Sequence, residues 1–313
     1  VKIIRDSDSQ TVDASVLTTG AFDGVHLGHQ TVIKEVKRRA AERGVESVVV
    51  TFDVHPAVVV RPDSAPKILT RLPRKLELIE SLGVDVVFVI EFDEARASTS
   101  AEAFVREIFV DRLGAKDILV GSAFNFGKGR EGTVEFLKSQ GLAYGFSVEG
   151  LELIKASEDA TEPVSSTAVR RALIGGEVET AAAMLGRPFE IHGTVVHGDQ
   201  RGRTIGFPTA NVVLPNEMAR PANGVYACRY TTPDGVVHPA AVNVGVRPTF
   251  YESADAAVLE AHLLDFSGDL YGQLARVQFV QFLRSERRFN GIDELRDQLD
   301  LDTIEAKNAL SGR

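Results

Sequence analysis

Residues 16 to 36 read VLTTGAFDGVHLGHQTVIKEV, and the fold of the first half of the chain turns on them. VLTTG has the apolar, β-branched character of a strand. The segment HQTVIKEVKRRAAERG carries Val32, Ile33, Val36 and Ala40 at helical spacing until Gly44 stops it. A strand thus gives way to a helix across a short loop that holds His26 and His29 on either side of Gly28. A helix start presents unpaired backbone N–H groups and the positive end of the helix dipole, so both histidines stand where an anion is favoured. The anion expected is a nucleotide triphosphate. The same residues are open to use as general bases, metal ligands or plain helix caps. With no carboxylate or cysteine cluster beside them they make a poor zinc site.

Outward from this stretch the chain alternates. Strand-like runs recur at SVVVTFD (47–53), VDVVFVIEF (84–92) and KDILVGS (116–122), with helix-like runs at 29–43, 71–82 and 100–113 between them. The last begins with a capping-box spacing from Ser98 or Ser100. Near-continuous apolar strands separated by helices predict a doubly wound parallel sheet, which binds ligands at the carboxyl ends of its strands. A helical stretch from Ser166 closes this half. From Phe189 the pattern changes to short alternating strands divided by turns: EIHGTVVH, TANVVL, GVYACRY, VHPAAVNVG, VLEAHLLD and ARVQFVQFL. These predict an antiparallel barrel, with IDELRDQLDLDTIEAKNAL forming one or two helices against it. The expected organisation is therefore a doubly wound α/β domain over residues 1–185 and an antiparallel β-barrel domain with a C-terminal helix over 186–313.

Composition sets limits on function. The chain has 313 residues, 44% hydrophobic and 25% charged, with a net charge of −9. That acidity argues against duplex DNA or RNA, which demand a Lys/Arg excess, and leaves small anionic ligands at local basic sites. No apolar run reaches membrane-spanning length, and the start VKIIRDSDSQ has no signal-peptide core, so a cytoplasmic location is expected. Cys228 is the single cysteine. In VYACRY it shares a strand face with Tyr226 and Tyr230, and it reads as a buried small hydrophobe.

Three further stretches carry chemistry. PVSSTAVRRAL (163–173) places Ser165, Ser166 and Thr167 at a helix start with Arg170 a turn later, a second gathering of anion donors. HGDQRGRTIGFPTAN (197–211) has Gly198, Gly202 and Gly206 in a loop suited to close approach of phosphates, without the GK[ST] ending of a P-loop. Thr209 and Asn211, two apart, share a strand face, and their neutral oxygens suit Mg²⁺ bound with ATP. In VLEAHLLD (258–265) a second strand face carries Val258, Glu260, His262 and Leu264. Glu260 there is either merely exposed or kept as a proton acceptor for a substrate hydroxyl. His262 reads as pocket wall.

Together TTGAFDGVHLGHQ, TFDVHP, LVGSAFNFG and VSSTAVRRAL resemble the amino-terminal half of the bacterial bifunctional riboflavin kinase/FMN adenylyltransferases. GRPFEIHGTVVHGDQRGRTIGFPTAN, NVGVRPTF, LEAHLLDFSGDLYG and RRFNGIDEL resemble their riboflavin kinase half. The likeness runs from Val16 to near Leu299. It implies two activities, phosphorylation of riboflavin to FMN and adenylylation of FMN to FAD with release of pyrophosphate. Both would use ATP and Mg²⁺. For adenylylation it implies ATP contacts from Gly20, Phe22, Asp23, Gly24, His26, His29, Ser165, Ser166, Thr167 and Arg170, with His26 and His29 catalytic. For the kinase it implies ATP contacts from Gly198, Gly202, Thr204, Gly206, Phe207, Pro208, Thr209 and Asn211. Thr209 and Asn211 would hold the metal, and Glu260 would be the catalytic base. Flavin contacts fall to Asn125, Arg247, Pro248, Thr249 and Glu260. Riboflavin, FMN and ATP are the expected partners, and the oligomeric state, homo-oligomer included, is open.

Two positions depart from the family pattern. Val54 stands where proline is usual. Ala123, in GSAFNFG, stands where the family usually carries Asp or Asn, and alanine offers no oxygen. That second departure supports an alternative: a flavin or nucleotide sensor, or a kinase with a weakened adenylyltransferase half. A nucleotidyltransferase for another phosphorylated cofactor precursor would have no use for the GFPTAN half.

Overall fold

The computed structural model describes residues 1–152, 154–156, 162–198, 201–246 and 257–311, and the statements of structure below concern these residues. They form two compact units, Val1–Ser166 and Thr167–Arg313. The division falls earlier in the chain than the Leu185/Gly186 boundary read from the sequence. After Ser166 the chain makes two helices, Ser166–Ile174 and Val178–Leu185, parted at Gly175–Gly176, and the second packs on barrel strands.

In the first unit six strands form one parallel sheet: β1 (Lys2–Arg5), β2 (Ser15–Thr19), β3 (Glu46–Phe52), β4 (Val86–Ile90), β5 (Ala115–Gly121) and β6 (Ser147–Leu151). Their order is β1-β4-β3-β2-β5-β6. From β2 the chain winds outward through β3 to β4, then returns to lay β5 on the other side of β2. The winding direction therefore reverses between β2 and β5, and at such a point the loops leaving two neighbouring strands diverge and open a crevice. Period-two geometry assigns the apolar run of each central strand to two cores. Val48, Val50, Val86, Phe88 and Ile90 face one side with Phe104, Ile108 and Phe109. Val49, Val87 and Val89 face the other with Ile33 and Ile79. Ser100 caps the third expected helix, accepting from the Ala103 N–H at 3.2 Å.

The second unit is a closed antiparallel barrel of β7 (Phe189–Val196), β8 (Ala210–Val213), β9 (Gly224–Thr231), β10 (Val237–Val246), β11 (Ala257–Leu263) and β12 (Leu274–Arg284), in the order β10-β11-β8-β7-β12-β9. Closure leaves no strand edge unpaired. Tyr226, Cys228 and Tyr230 are fully buried along β9, and burial pushes the Cys228 thiol well above its ordinary pKa. One C-terminal helix, Ile292–Ser311, covers β9, β10 and β12. Its Ala306 clusters with Ala227, Ala241 and Leu264, and the three alanines are small enough to let helix and sheet approach closely. Asp302, 1% exposed, anchors the helix through two 2.7 Å bonds from the Arg284 guanidinium and one of 2.8 Å from Gln298 Nε2.

Candidate active sites

At the carboxyl end of β2 the chain turns into the helix Leu27–Arg43, and His26 caps it. Its backbone is extended (φ −69°, ψ 170°), and its Nδ1 accepts the His29 N–H at 3.3 Å. An accepting Nδ1 leaves the imidazole proton on Nε2. The two imidazoles stack with centroids 3.6 Å apart and planes 17° apart, and Phe22 meets His29 edge-on at 5.0 Å. Gly28 keeps room for the stack, since a Cβ there would stand 3.2 Å from the His26 ring. Burial first, then the neighbouring His26 and then Lys75, hold His29 well below the usual histidine pKa. Its Nδ1 is buried with no hydrogen-bond partner among the described residues. A neutral imidazole with an unengaged ring nitrogen can meet a phosphate oxygen without first desolvating a charge.

Of the other ATP contacts expected for adenylylation, several hold the loop itself. Asp23 is buried, and its carboxylate accepts the Leu69 and Thr70 N–H groups at 2.9–3.0 Å. Its carbonyl accepts Ser166 Oγ at 2.9 Å, which ties the next helix start to the histidine loop. Phe22 is core. The Gly20 N–H is engaged with Val50 O at 3.1 Å, while Gly24, at φ 83°, makes the turn that only glycine adopts without cost. Ser165 precedes the helix, and Thr167 and Arg170 lie in its opening turns. The GSAFNFG loop leaves β5, the strand paired with β2, so the two loops flank the reversal point of the sheet. There Asn125 Nδ2 donates to Ala123 O at 2.8 Å, and Phe124 stacks on Phe126 at 5.4 Å.

In the second unit the register decides the site. β8 and β11 pair so that Asn211 lies opposite Glu260, and β11 and β10 pair so that Glu260 lies opposite Asn243. Three polar side chains thus form a row across three strands. They line a cleft of about 350 Å³ together with Gly202, Phe207, Thr209 and His262 from the barrel and Thr303 from the C-terminal helix. Asn211 is 6% exposed, and its Oδ1 has no hydrogen-bond partner among the described residues. The chain before β8 wraps tightly at this point. A helical turn, Arg201–Thr204, closes with Phe207 N–H to Gly202 O at 2.8 Å and Gly206 N–H to Arg203 O at 3.4 Å, with Gly206 left-handed at φ 93°. Gly198 packs on the Asn211 carboxamide so closely that a Cβ would stand 2.9 Å from Oδ1. His262 holds the loop, its Nδ1 donating to Pro208 O at 2.8 Å and its ring meeting Phe207 at 5.3 Å. Thr204 lies on the exposed side of the turn.

The fold thus gathers Gly202, Phe207, Thr209, Asn211 and Glu260 around one cleft, and gathers His26, His29, Gly24 and Ser166 at one loop. Arg247, Pro248 and Thr249 lie outside the described residues. Lys75, Asn243, Arg284 and Thr303 were missed as site residues. Asn243 was legible in principle, because NVG places it on a strand beside VLEAH. Nothing local marks Lys75 or Thr303, which reach their places only through tertiary packing.

A nucleotide-type α/β sheet joined to a small phosphate-competent barrel defines a two-module transferase. The FAD synthetase family model matches residues 8–168 and the riboflavin kinase family model residues 185–310. The chain belongs to the bifunctional riboflavin kinase/FMN adenylyltransferase family. It is 40% identical to the member from Bacillus subtilis over 296 residues, covering 93% of this chain and 91% of that one. It is 39% identical to the Escherichia coli member over 307 residues, covering 98% and 96%. A solved structure described as a macrolide-efflux protein from Streptococcus pneumoniae superposes with a TM-score of 0.85 at 28% identity, covering 98% of this chain and 99% of that one. Efflux is said of that protein. Among the described residues here, no helix is long and apolar enough to cross a membrane.

The lowered pKa of His29 has a measurable consequence. Between that lowered value and the ordinary 6.5, the unfolded chain binds a proton that the folded chain refuses, so acidification favours unfolding there. The stabilising contribution is complete above pH 6.5 and is lost as the pH falls through the folded value. Denaturant unfolding of the first unit at stepwise lower pH should show this slope, and His29→Asn should flatten it. An identical slope in the variant would contradict the assignment.

Proposed function

We propose that the chain makes FMN and then FAD. On this reading the barrel unit transfers the γ-phosphate of ATP to the 5′-hydroxyl of riboflavin. The sheet unit joins the AMP part of ATP to the FMN phosphate and releases pyrophosphate. Family membership supports the pair of activities. The observation that carries the kinase chemistry is the facing of Glu260 and Asn211 in one cleft. The Glu260 carboxylate takes the hydroxyl proton, the freed oxygen bonds to the γ-phosphorus, and the bond to ADP breaks.

Mg²⁺ fits this cleft on the chemistry of its donors. Thr209 and Asn211 offer neutral oxygens, and the Asn211 Oδ1 is buried without a partner among the described residues, a costly arrangement unless a cation or donor meets it. Those two residues would hold the metal, which when bound neutralises charge on the phosphate oxygens. Gly198, Gly202 and Gly206 leave space for the phosphates, with Phe207, Pro208 and Thr204 on the same loop.

Adenylylation needs no base, because the FMN phosphate is already an anion at neutral pH. The work falls to positioning and charge stabilisation as its oxygen attacks the α-phosphorus and pyrophosphate leaves. His26, His29 and the helix N–H groups do this, with Ser165 as a further donor. Ser166 Oγ and the Asp23 carboxylate also hold the loop. We place both activities in the cytoplasm, where ATP is supplied.

Glu260→Gln keeps shape and removes the base. Riboflavin phosphorylation should fall by ~10²–10⁴-fold, with FAD formation from supplied FMN unchanged. Flavin chromatography after incubation with ATP and Mg²⁺, begun separately from riboflavin and from FMN, reads both. An unaffected kinase would remove Glu260 from the chemistry.

A weakened adenylyltransferase half has its own support. Ala123 brings no side-chain oxygen, and Asn125 Nδ2 donates to Ala123 O, which leaves the Asn125 Oδ1 as the alternative source of one. FMN should then accumulate from riboflavin, and Ala123→Asn should speed conversion of FMN to FAD by ~10–10³-fold, the scale of one polar contact to developing charge. A fast parent enzyme indifferent to this change would dismiss the weakened reading.

A further inference from the structure

The loop that carries His26 runs against its own backbone preferences. Phe22 and Val25 sit at φ 49° and 41°, and the left-handed region is a true outlier for a β-branched residue. Such a backbone persists only where its surroundings over-determine it. Here the loop's carbonyls are gripped from four separate places. Thr51 Oγ1 and Lys75 Nζ donate to Ala21 O at 3.3 and 3.2 Å, Ser166 Oγ to Asp23 O at 2.9 Å, and Gln30 Nε2 to Val25 O at 2.9 Å.

Lys75 is the unusual member of this set. It is 6% exposed, and its ammonium also donates to Phe52 O, the last residue of β3, at 2.8 Å. One buried cation thus clamps the end of β3 to Ala21, early in the loop leaving β2. A neutral side-chain amide could donate to both carbonyls without the desolvation that an ammonium incurs. Burial lowers the Lys75 pKa to about 8, against the opposing pull of Asp23 and Asp53, so the group is charged at neutral pH. That charge is felt at His29, where it adds to the effects of burial and of His26.

We propose that Lys75 is a positioning residue of adenylyl transfer, whose buried ammonium fixes the strained His26 loop and supplies standing positive charge beside the place where the polyphosphate binds. The inference rests on the adenylyltransferase reading above. A buried cation favours a polyanion over a neutral ligand, and because it is already desolvated it needs no reorganisation as charge moves onto the leaving pyrophosphate. Its two backbone acceptors fix where that charge stands.

The test uses the full chain and two variants. Lys75→Met keeps the apolar stem and removes the ammonium, while Lys75→Arg keeps the charge with altered geometry. In Lys75→Met, kcat for FMN to FAD should fall by ~10²-fold with KM for FMN within a few-fold, on the scale of one lost charge-stabilising donor. Phosphorylation of riboflavin in the same preparation should be unchanged, which reports an intact barrel unit. Histidine titration by NMR should show His29 moving up toward its ordinary pKa in Lys75→Met and staying low in Lys75→Arg. Parent-like FAD formation in Lys75→Met overturns the proposal. So does an equal loss in both variants with His29 unmoved, which would make Lys75 a packing residue. A parent enzyme that forms no FAD from FMN overturns the adenylyltransferase reading instead, and His29 unmoved in Lys75→Met would then refute the charge coupling on its own.

Discussion

Glu260 faces Asn211 only because β8 and β11 pair in the register that aligns them. Side chains alternate along a strand with a period of two, so a slip of one residue would turn the whole row of Asn211, Glu260 and Asn243 to the other face. Barrel closure enforces the register. β8 is held by β7 on one side and β11 on the other, and β12, β9 and β10 complete the ring, so no strand can slide alone. The C-terminal helix then covers the wall beside the cleft, fixed by the Arg284–Asp302 pair. The chemistry of the second unit is thus a consequence of backbone pairing. A carboxylate and a carboxamide oxygen with no partner among the described residues, neither welcome in an apolar core, are brought face to face in one cleft.

The first unit meets the same need by another route. The anion site proposed for it depends on a helix start and on loops placed at the reversal point of a parallel sheet, where fixed dipoles act beside side-chain charge. The cost is local strain at Phe22 and Val25. Side chains from β3, from the helices Leu27–Arg43 and Leu72–Glu80, and from Ser166 hold the strained loop in place. Asp23, which by resemblance would contact ATP, has its carboxylate engaged in this scaffolding.

Much of this was legible in the sequence because the signals were local. The barrel strands read as short runs divided by turns, although burial along β8 and β9 is too continuous to alternate strictly. The four central strands of the sheet read as apolar runs because helices cover both faces. The edge strands did not. β1 buries Ile4 alone, and β6, Ser147–Leu151, is half exposed along its length, so neither shows an apolar run. Thr209 and Asn211 were assigned to one face and Glu260 to another strand's face, but that Asn211 and Glu260 meet depends on register, which a single chain segment does not encode. Lys75 reads as one more charge on an amphipathic helix. Its burial exists only once that helix lies over the ends of β2 and β3. The bond from Ser166 to Asp23 joins residues far apart in sequence, and no spacing rule could find it.

The account holds that one chain carries two separate ATP sites, one in each unit, with different binding chemistry. Titration calorimetry with a non-hydrolysable ATP analogue and Mg²⁺ measures this most directly. The account predicts two equivalents bound per chain, one abolished by His26→Leu, the other by Asn211→Leu, and both by the double variant. A single equivalent in the parent protein, or loss of all binding on either single substitution, would contradict it.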